Sequence, residues 1–343
     1  MTSARRGAII GFGSVAEKGH LPGWQADAEF NIVAVVDPAN ARRACAEELV
    51  AGVRTYSNID ELFAKESLEF VDIASPPSFH QPAILAAAAA GVDVLCEKPV
   101  TTTAASYRPM RLAIRESGIL LHAVHNWKFS EAFVVLREIL ADGGFGKVTG
   151  LSFETRRNGW SVSDNDWRIK RDVAGGGILV DHGWHNFYLI LALATEPPLA
   201  VSATLERRRY REAEIEDTAF CRIEFPQMSA DVRLTWAAEE RRTRWQVTAE
   251  SGRVVIDDDS VETEHSGRSE VRQLRSGLSA GSHHADWFPG VIDSFRRELE
   301  DPRVRGTNLR EAEWCLVLLD QAYRSAAASG RRSALPTPDE LLG

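Results

Sequence analysis

Cysteine is scarce and scattered: Cys45, Cys96, Cys221 and Cys315 are the only four in 343 residues, and no two form a C-x-x-C pair. That excludes a zinc ribbon or a disulfide framework and suits a reducing compartment. Long apolar runs are missing as well. The longest, around Leu189 to Ala194, falls far short of the roughly 20 residues that a membrane span needs. The opening "MTSARRGAII" passes directly into a strand pattern without a signal-type apolar segment, so the expectation is a cytoplasmic protein with no membrane partner. Positive charge is in deficit too: 40 Lys and Arg against 49 Asp and Glu leave a formal charge of -9, which supplies no general field toward nucleic acid.

What remains is 44% hydrophobic and 26% charged, the composition of a folded chain, and long enough for two domains. The first part alternates buried strands ("GAIIGFG", "NIVAVVD", "FVDIASPP", "VDVLCEKP", "ILLHAVHN") with helical stretches such as "PANARRACAEELVA", "NIDELFAKE" and "HQPAILAAAAAG". Continuous apolar strands separated by helices predict a doubly wound parallel sheet, an α/β Rossmann domain over residues 1–125. Beyond a helix from about Ser130 to Ala141 the pattern changes. "VTGLSFETRR", "LAVSATLERRRY", "TAFCRIEF", "SADVRLTWAAE", "RWQVTAES" and "GRVVIDD" alternate apolar and polar residues. They predict an α+β domain over 126–343 with an open, mainly antiparallel sheet, interrupted by one long helix, "GILVDHGWHNFYLILALA". Glu262 to His284 reads as a polar loop or short strands. "LERRRYRE" reads as an exposed sheet edge or subunit contact rather than a nucleic-acid patch.

Directly after the first strand, Gly11, Gly13 and Ala16 form G-x-G-x-x-A, with Ser14 and Val15 inside the turn. Such a turn lets backbone N–H groups approach a pyrophosphate, and Asp37, ending the next strand, is placed for a ribose hydroxyl. An acid there repels a 2′-phosphate, which favours NAD over NADP, while Arg42 and Arg43 close behind weaken that preference.

Residues 175–190, "GGGILVDHGWHNFYLI", concentrate Asp181, His182 and His185 before an apolar run. Three readings stand on this stretch alone: a capped, structural helix start, a metal site, or an acid/base pair with Asp181 and His185 four apart on one face. His283 and His284 add imidazoles, but no ligand spacing supports a metal, and none is expected. Among the basic residues of "TRRNGWSVSDNDWRIKRD", Arg156, Arg157, Arg168, Lys170 and Arg171 are candidates for a substrate carboxylate or phosphate, against a solvated, salt-bridged loop for most of them.

At "SPPSFHQPAILAAAAAGVDVLCEKP" the chain resembles the glucose-fructose oxidoreductase / inositol dehydrogenase / MocA (Gfo/Idh/MocA) family of NAD(P)-dependent oxidoreductases. The shared residues are Ser75-Pro76-Pro77 with His80, then Glu97-Lys98-Pro99, Trp167-Arg168, the triple glycine, and Asp181, Gly183 and His185. The resemblance implies cofactor contacts from Ser75, Pro76, His80, Glu97 and Lys98. It also implies Lys98 at the substrate oxygen, His185 as proton acceptor, Asp181 holding a substrate hydroxyl or orienting the histidine, and Arg168 at the substrate. His182 either lines the cleft or is structural, and Asn126 either contacts nicotinamide or substrate or closes a turn. The implied activity is hydride transfer between NAD and a secondary alcohol or ketone of a polyhydroxylated sugar or cyclitol, phosphorylated or otherwise anionic substrates included. The expected assembly is a homodimer or homotetramer built on the exposed sheet face. A dinucleotide-binding sensor without turnover, and an enzyme using NAD transiently for elimination chemistry, are the alternatives.

Overall fold

The computed structural model describes residues 4–159 and 167–343, so residues 160–166 of the basic, aromatic stretch lie outside the described residues. By compactness the chain forms two units. The first comprises residues 1–126, 283–312 and 342–343, and the second 127–282 and 313–341.

The first unit carries a six-stranded, wholly parallel sheet of β1 (Arg5–Ile10), β2 (Phe30–Val36), β3 (Arg54–Tyr56), β4 (Phe70–Ile73), β5 (Asp93–Cys96) and β6 (Leu121–Ala123), in the order β3-β2-β1-β4-β5-β6. Ile9, Val35, Val71 and Leu95 are fully buried, as strands covered on both faces require. The order reverses between β1 and β4, the switch point at which such sheets open a crevice beyond their strand ends. Local signals set the helices. The Asn58 side chain caps Ile59–Lys65 by accepting from the Glu61 N–H at 2.9 Å, and Gly91, at φ 69°, ends His80–Ala90 in the left-handed region. Five strands are legible in the sequence pattern. The sixth, β3, is a three-residue edge strand in which only Tyr56 is buried, too short to show a periodicity.

Residues 283–312 rejoin this unit because helix Phe288–Glu300 is amphipathic. Phe295, fully buried, lies 6.0 and 6.2 Å from the rings of Phe30 and Phe70, and Phe288 lies 5.6 Å from that of Trp24. The compact units therefore differ from a single cut at 125/126 by this return of residues 283–312.

The second unit is a nine-stranded sheet of β7 (Val148–Asn158), β8 (Ala200–Glu206), β9 (Thr218–Glu224), β10 (Ser229–Thr235), β11 (Ala237–Ala249), β12 (Gly252–Asp257), β13 (Ser260–His265), β14 (Arg268–Gln273) and β15 (Ser333–Ala334). The order is β14-β13-β12-β11-β7-β10-β9-β8-β15, antiparallel except for the β7–β10 pair. Side chains alternate along β7: Leu151, Phe153, Thr155 and Arg157 face inward, and Ser152, Glu154 and Arg156 face outward. Helices Glu131–Ala141 and Trp184–Leu193 cover the inner face, with Phe133 and Phe153 both against Trp245. The outer face is charged, with Arg242 and Arg244 on Asp257 and Arg156 on Glu154.

Two expectations need correction here. The long helix is broken: Leu179–Gly183 is a π turn that runs into the α-helix Trp184–Leu193. The "RRYR" stretch is a turn rather than a sheet edge, since the N–H groups of Arg208, Arg209 and Tyr210 all donate to the Asp217 carboxylate at 2.7–2.9 Å. The Glu262 to His284 stretch supplies short strands, most of β13 and all of β14, before its closing turns. Among the described residues no helix is long and apolar enough to cross a membrane.

Candidate functional site

In the first unit the candidate residues gather at the carboxyl ends of the parallel strands. Gly11 sits at φ 88°, and a Cβ there would meet the Ser75 backbone at 2.8 Å, so two loops approach at a distance that only glycine permits. Around Gly13 a Cβ would meet nothing within 4 Å, which leaves its backbone open to a ligand. Ser14 Oγ pairs with His283 Nε2 at 3.1 Å, and Val15 opens the following helical turn. Asp37 is 8% exposed; its Oδ2 accepts from the Phe12 N–H and its Oδ1 from the Ala39 N–H, both at 2.9 Å. Each oxygen retains a second lone pair for a ribose hydroxyl. Arg42 donates to Phe12 O and pairs with Glu17, and Arg43 donates to Asp37 O, so both arginines fasten this turn.

Ser75 Oγ and Asn126 Oδ1 are buried with no hydrogen-bond partner among the described residues. A buried polar atom without a partner is costly, and a dinucleotide carrying hydroxyls and a carboxamide is the kind of group that would satisfy both. With the open face at Gly13, these orphans fit an NAD site. Pro76 precedes the short 3-10 turn Pro77–Phe79 and shapes the Ser75 loop. His80, expected at the cofactor, has a different place. It is fully buried, with Nε2 at 2.8 Å from Ser75 O and Nδ1 at 3.0 Å from Pro99 O, so the ring braces the loops carrying Ser75 and Lys98 and keeps neither nitrogen for a ligand. Burial lowers its pKa, against the pull of the carbonyl oxygens at its nitrogens.

Glu97 and Lys98 follow β5. Glu97 Oε2 accepts the Lys98 N–H at 2.9 Å and Oε1 meets His20 Nε2 at 3.1 Å; His20 Nδ1 lies 3.0 Å from Asp72 Oδ2, which also accepts from the Trp24 indole at 2.7 Å. Nothing in the sequence pattern exposes this Asp72–His20–Glu97 chain, because its members lie 52 and 77 residues apart.

In the second unit the triple glycine has a packing reason. A Cβ on Gly176 would strike the Tyr323 hydroxyl at 2.0 Å and one on Gly177 the Glu216 backbone at 1.9 Å. Buried Glu216 accepts from the N–H groups of Gly177 and Leu179 and from Tyr323, and pins the entry to the π turn. Burial raises the Glu216 pKa. Asp181 Oδ2 lies 3.1 Å from His182 Nδ1. His185 is 7% exposed; its Nδ1 lies 2.7 Å from the Tyr188 hydroxyl, which also accepts from the Trp127 N–H at 3.1 Å, and its ring stacks on Trp127 with centroids 5.0 Å apart. Tyr188 therefore orients this ring, a role the sequence suggested for Asp181. In the tautomer that donates Nδ1–H to Tyr188, Nε2 holds the lone pair and can take a proton. Arg168 lies exposed in the turn Trp167–Ile169, its guanidinium 4.7 Å from the Trp167 ring. Among the described residues no group of three or more His, Cys, Asp or Glu is arranged to hold a metal.

Comparison with known proteins agrees with this anatomy. Residues 5–125 match the oxidoreductase family with an NAD-binding Rossmann fold, and residues 133–255 match the GFO/IDH/MocA C-terminal domain. The chain is 33% identical over 184 residues to a 2,7-anhydro-N-acetylneuraminate hydratase of Mediterraneibacter gnavus, a match covering 53% of this chain and 46% of that protein. It is 26% identical, over 96% of its own length and 98% of the other, to a putative UDP-kanosamine synthase oxidoreductase subunit of Amycolatopsis mediterranei. The crystal structure of GenD2 from gentamicin A biosynthesis in complex with NAD superposes with a TM-score of 0.82 at 25% identity, over 98% of this chain and 97% of that one. The chain belongs to the Gfo/Idh/MocA family of oxidoreductases, and its first domain is an NAD-binding Rossmann fold.

Proposed function

We propose that the protein is an NAD-dependent dehydrogenase acting on a secondary alcohol of a sugar or cyclitol. The observation that carries this reading is His185, a buried imidazole fixed at Nδ1 by Tyr188 and at its face by Trp127, the setting of a directed general base. Oxidation of CH–OH to C=O releases one hydroxyl proton and one hydride. NAD, when bound, supplies the hydride acceptor. His185 takes the proton at Nε2, and the Lys98 ammonium stabilises the oxygen as charge develops on it. With NAD bound, Gly11, Gly13 and Ser14 would hold the pyrophosphate, Asp37 the ribose, and Ser75 and Asn126 the nicotinamide end; Asp181 and His182 would hold substrate hydroxyls. The cysteines, none of which forms a disulfide, suit a cytoplasmic setting.

His185→Ala is expected to lower kcat by about 10²–10⁴-fold with NAD affinity and melting temperature near wild type, because the imidazole serves the substrate and not the dinucleotide. A folded variant with near-wild-type turnover refutes the assignment. NAD is expected to bind at least about tenfold more tightly than NADP, ~1.4 kcal/mol, because Asp37 disfavours a 2′-phosphate and Arg42 and Arg43 are engaged by the turn. Equal affinities in calorimetric titration count against it. The hydratase relative favours a second reading, in which NAD is reduced and reoxidised within one turnover. Substrate conversion without net nicotinamide reduction selects that reading. Dinucleotide binding without conversion of any sugar or cyclitol selects a sensor.

A further inference from the structure

Arg157 occupies the inward row of β7, 5% exposed, where an arginine is unexpected. Its Nη1 lies 2.8 Å from Arg156 O, 3.3 Å from Arg242 O, 3.1 Å from Thr243 Oγ1 and 3.3 Å from Ser279 Oγ, all neutral acceptors. Nε and Nη2 make no hydrogen bond among the described residues, and no carboxylate there comes within ion-pair distance. The contrast with its neighbours is sharp. Arg156 pairs with Glu154, and Arg242 and Arg244 pair with Asp257, although all three arginines are half-exposed and need a counter-ion less. A largely buried guanidinium with no acid beside it among the described residues is costly, and its planar Nε/Nη2 edge presents the paired N–H groups that fit two oxygens of one anion.

We propose that Arg157 is the specificity residue for an anionic substrate group: its Nε/Nη2 edge binds the carboxylate of a sugar acid that presents its reacting hydroxyl to His185. Trp127 links the two side chains: its ring lies 6.0 Å from the Arg157 guanidinium and 5.0 Å from the His185 ring, so both pack on one residue of the second unit. The preference for a carboxylate follows from shape and surroundings: the planar guanidinium edge matches a planar carboxylate, and Asp181 and Asp258, whose fields reach Arg157, disfavour a second negative charge there. Burial draws the Arg157 pKa down to about 10, still far above neutrality, so the cation persists where a carboxylate would meet it. This rests on the dehydrogenase reading for its substrate class, though binding is measurable without turnover.

The test compares D-glucose, D-glucuronate and D-glucose 6-phosphate, and the matching galactose set, by calorimetric titration of the full chain with and without NAD, and by nicotinamide reduction. The acid is expected to bind about tenfold to a hundredfold more tightly than its neutral parent, the scale of a charge-assisted pair, and more tightly than the phosphate. Arg157→Gln should bring the acid-to-neutral ratio close to one, and Arg157→Lys should restore part of it. Equal binding of acid and neutral sugar by the wild type overturns the proposal without any variant. So does a ratio that survives in folded Arg157→Gln, or a preference for the phosphate. Acid-selective binding without nicotinamide reduction upholds the subsite and rejects the dehydrogenase reading alone.

Discussion

His20 is 2% exposed, yet its ring is held as an imidazolium. Burial opposes that charge, but the carboxylates of Asp72 and Glu97 overcome it and raise the pKa from 6.5 to about 10. Because the folded value lies above the unfolded one, the stability this ring contributes is complete below about pH 6.5 and is lost as pH rises toward about 10. Glu97 behaves oppositely. Burial pushes its pKa up, and His20 with the Lys98 backbone and side chain pulls it below the ordinary carboxylate value, so its contribution is present near neutrality and lost in acid. Unfolding free energy is therefore expected to fall between about pH 6.5 and 10 in the wild type. His20→Gln should flatten that fall and cost about 3–5 kcal/mol near neutrality, because two buried carboxylates lose their counter-ion. Urea titrations at several pH values check both, and an unchanged slope in the variant refutes the assignment. A second residue-scale expectation concerns Tyr188. Tyr188→Phe removes the group that fixes His185 Nδ1, and should lower kcat about tenfold while leaving NAD affinity alone. Unchanged initial rates would show that the ring needs no such partner.

The turn between β1 and its following helix separates two uses of glycine. Gly13→Ala adds a methyl group where nothing stands within 4 Å, so the melting temperature should hold while NAD affinity drops by at least about tenfold, the methyl occupying the pyrophosphate's approach. Gly11→Ala places a Cβ at 2.8 Å from the Ser75 backbone with φ at 88°, and should destabilise the fold by about 1–2 kcal/mol or more. Thermal melts and NAD titrations on both variants distinguish the roles, and equal loss of stability would merge them. This turn was legible in the sequence because its chemistry is local, as was the Gly91 helix end. The π turn at Leu179–Gly183 was not, since a shift from i+4 to i+5 pairing leaves no residue signature, and the Glu216 brace that sets it lies 37 residues from Leu179. Arg157 is an intermediate case. Strand parity in "LSFETRR" already puts it on the same face as Leu151 and Phe153, whereas its neighbour Arg156 falls on the opposite one. The Asp72–His20–Glu97 chain depends on long-range proximity alone, which no periodicity carries.

At the scale of the molecule, the outer face of the nine-stranded sheet is broad and set with arginine–acid pairs such as Arg242–Asp257, Arg222–Asp231 and Arg253–Glu264. We expect it to be covered by a second copy in a homodimer or homotetramer whose mass by light scattering falls toward the monomer as salt is raised. A monomeric mass at micromolar concentration in low salt would reject this. The return of residues 283–312 to the first unit has a consequence for biosynthesis. His122 meets Glu298 and Ala123 meets Asn308 across 176 and 185 residues, and Phe295 completes the cluster around Phe30 and Phe70. A ribosome adding about 5–20 residues per second takes on the order of ten to forty seconds to cross that interval. Throughout it the nascent dinucleotide domain lacks its closing helix and presents aromatic surface to solvent, so a chain released near residue 125 is a client for chaperones rather than a self-sufficient NAD-binding module.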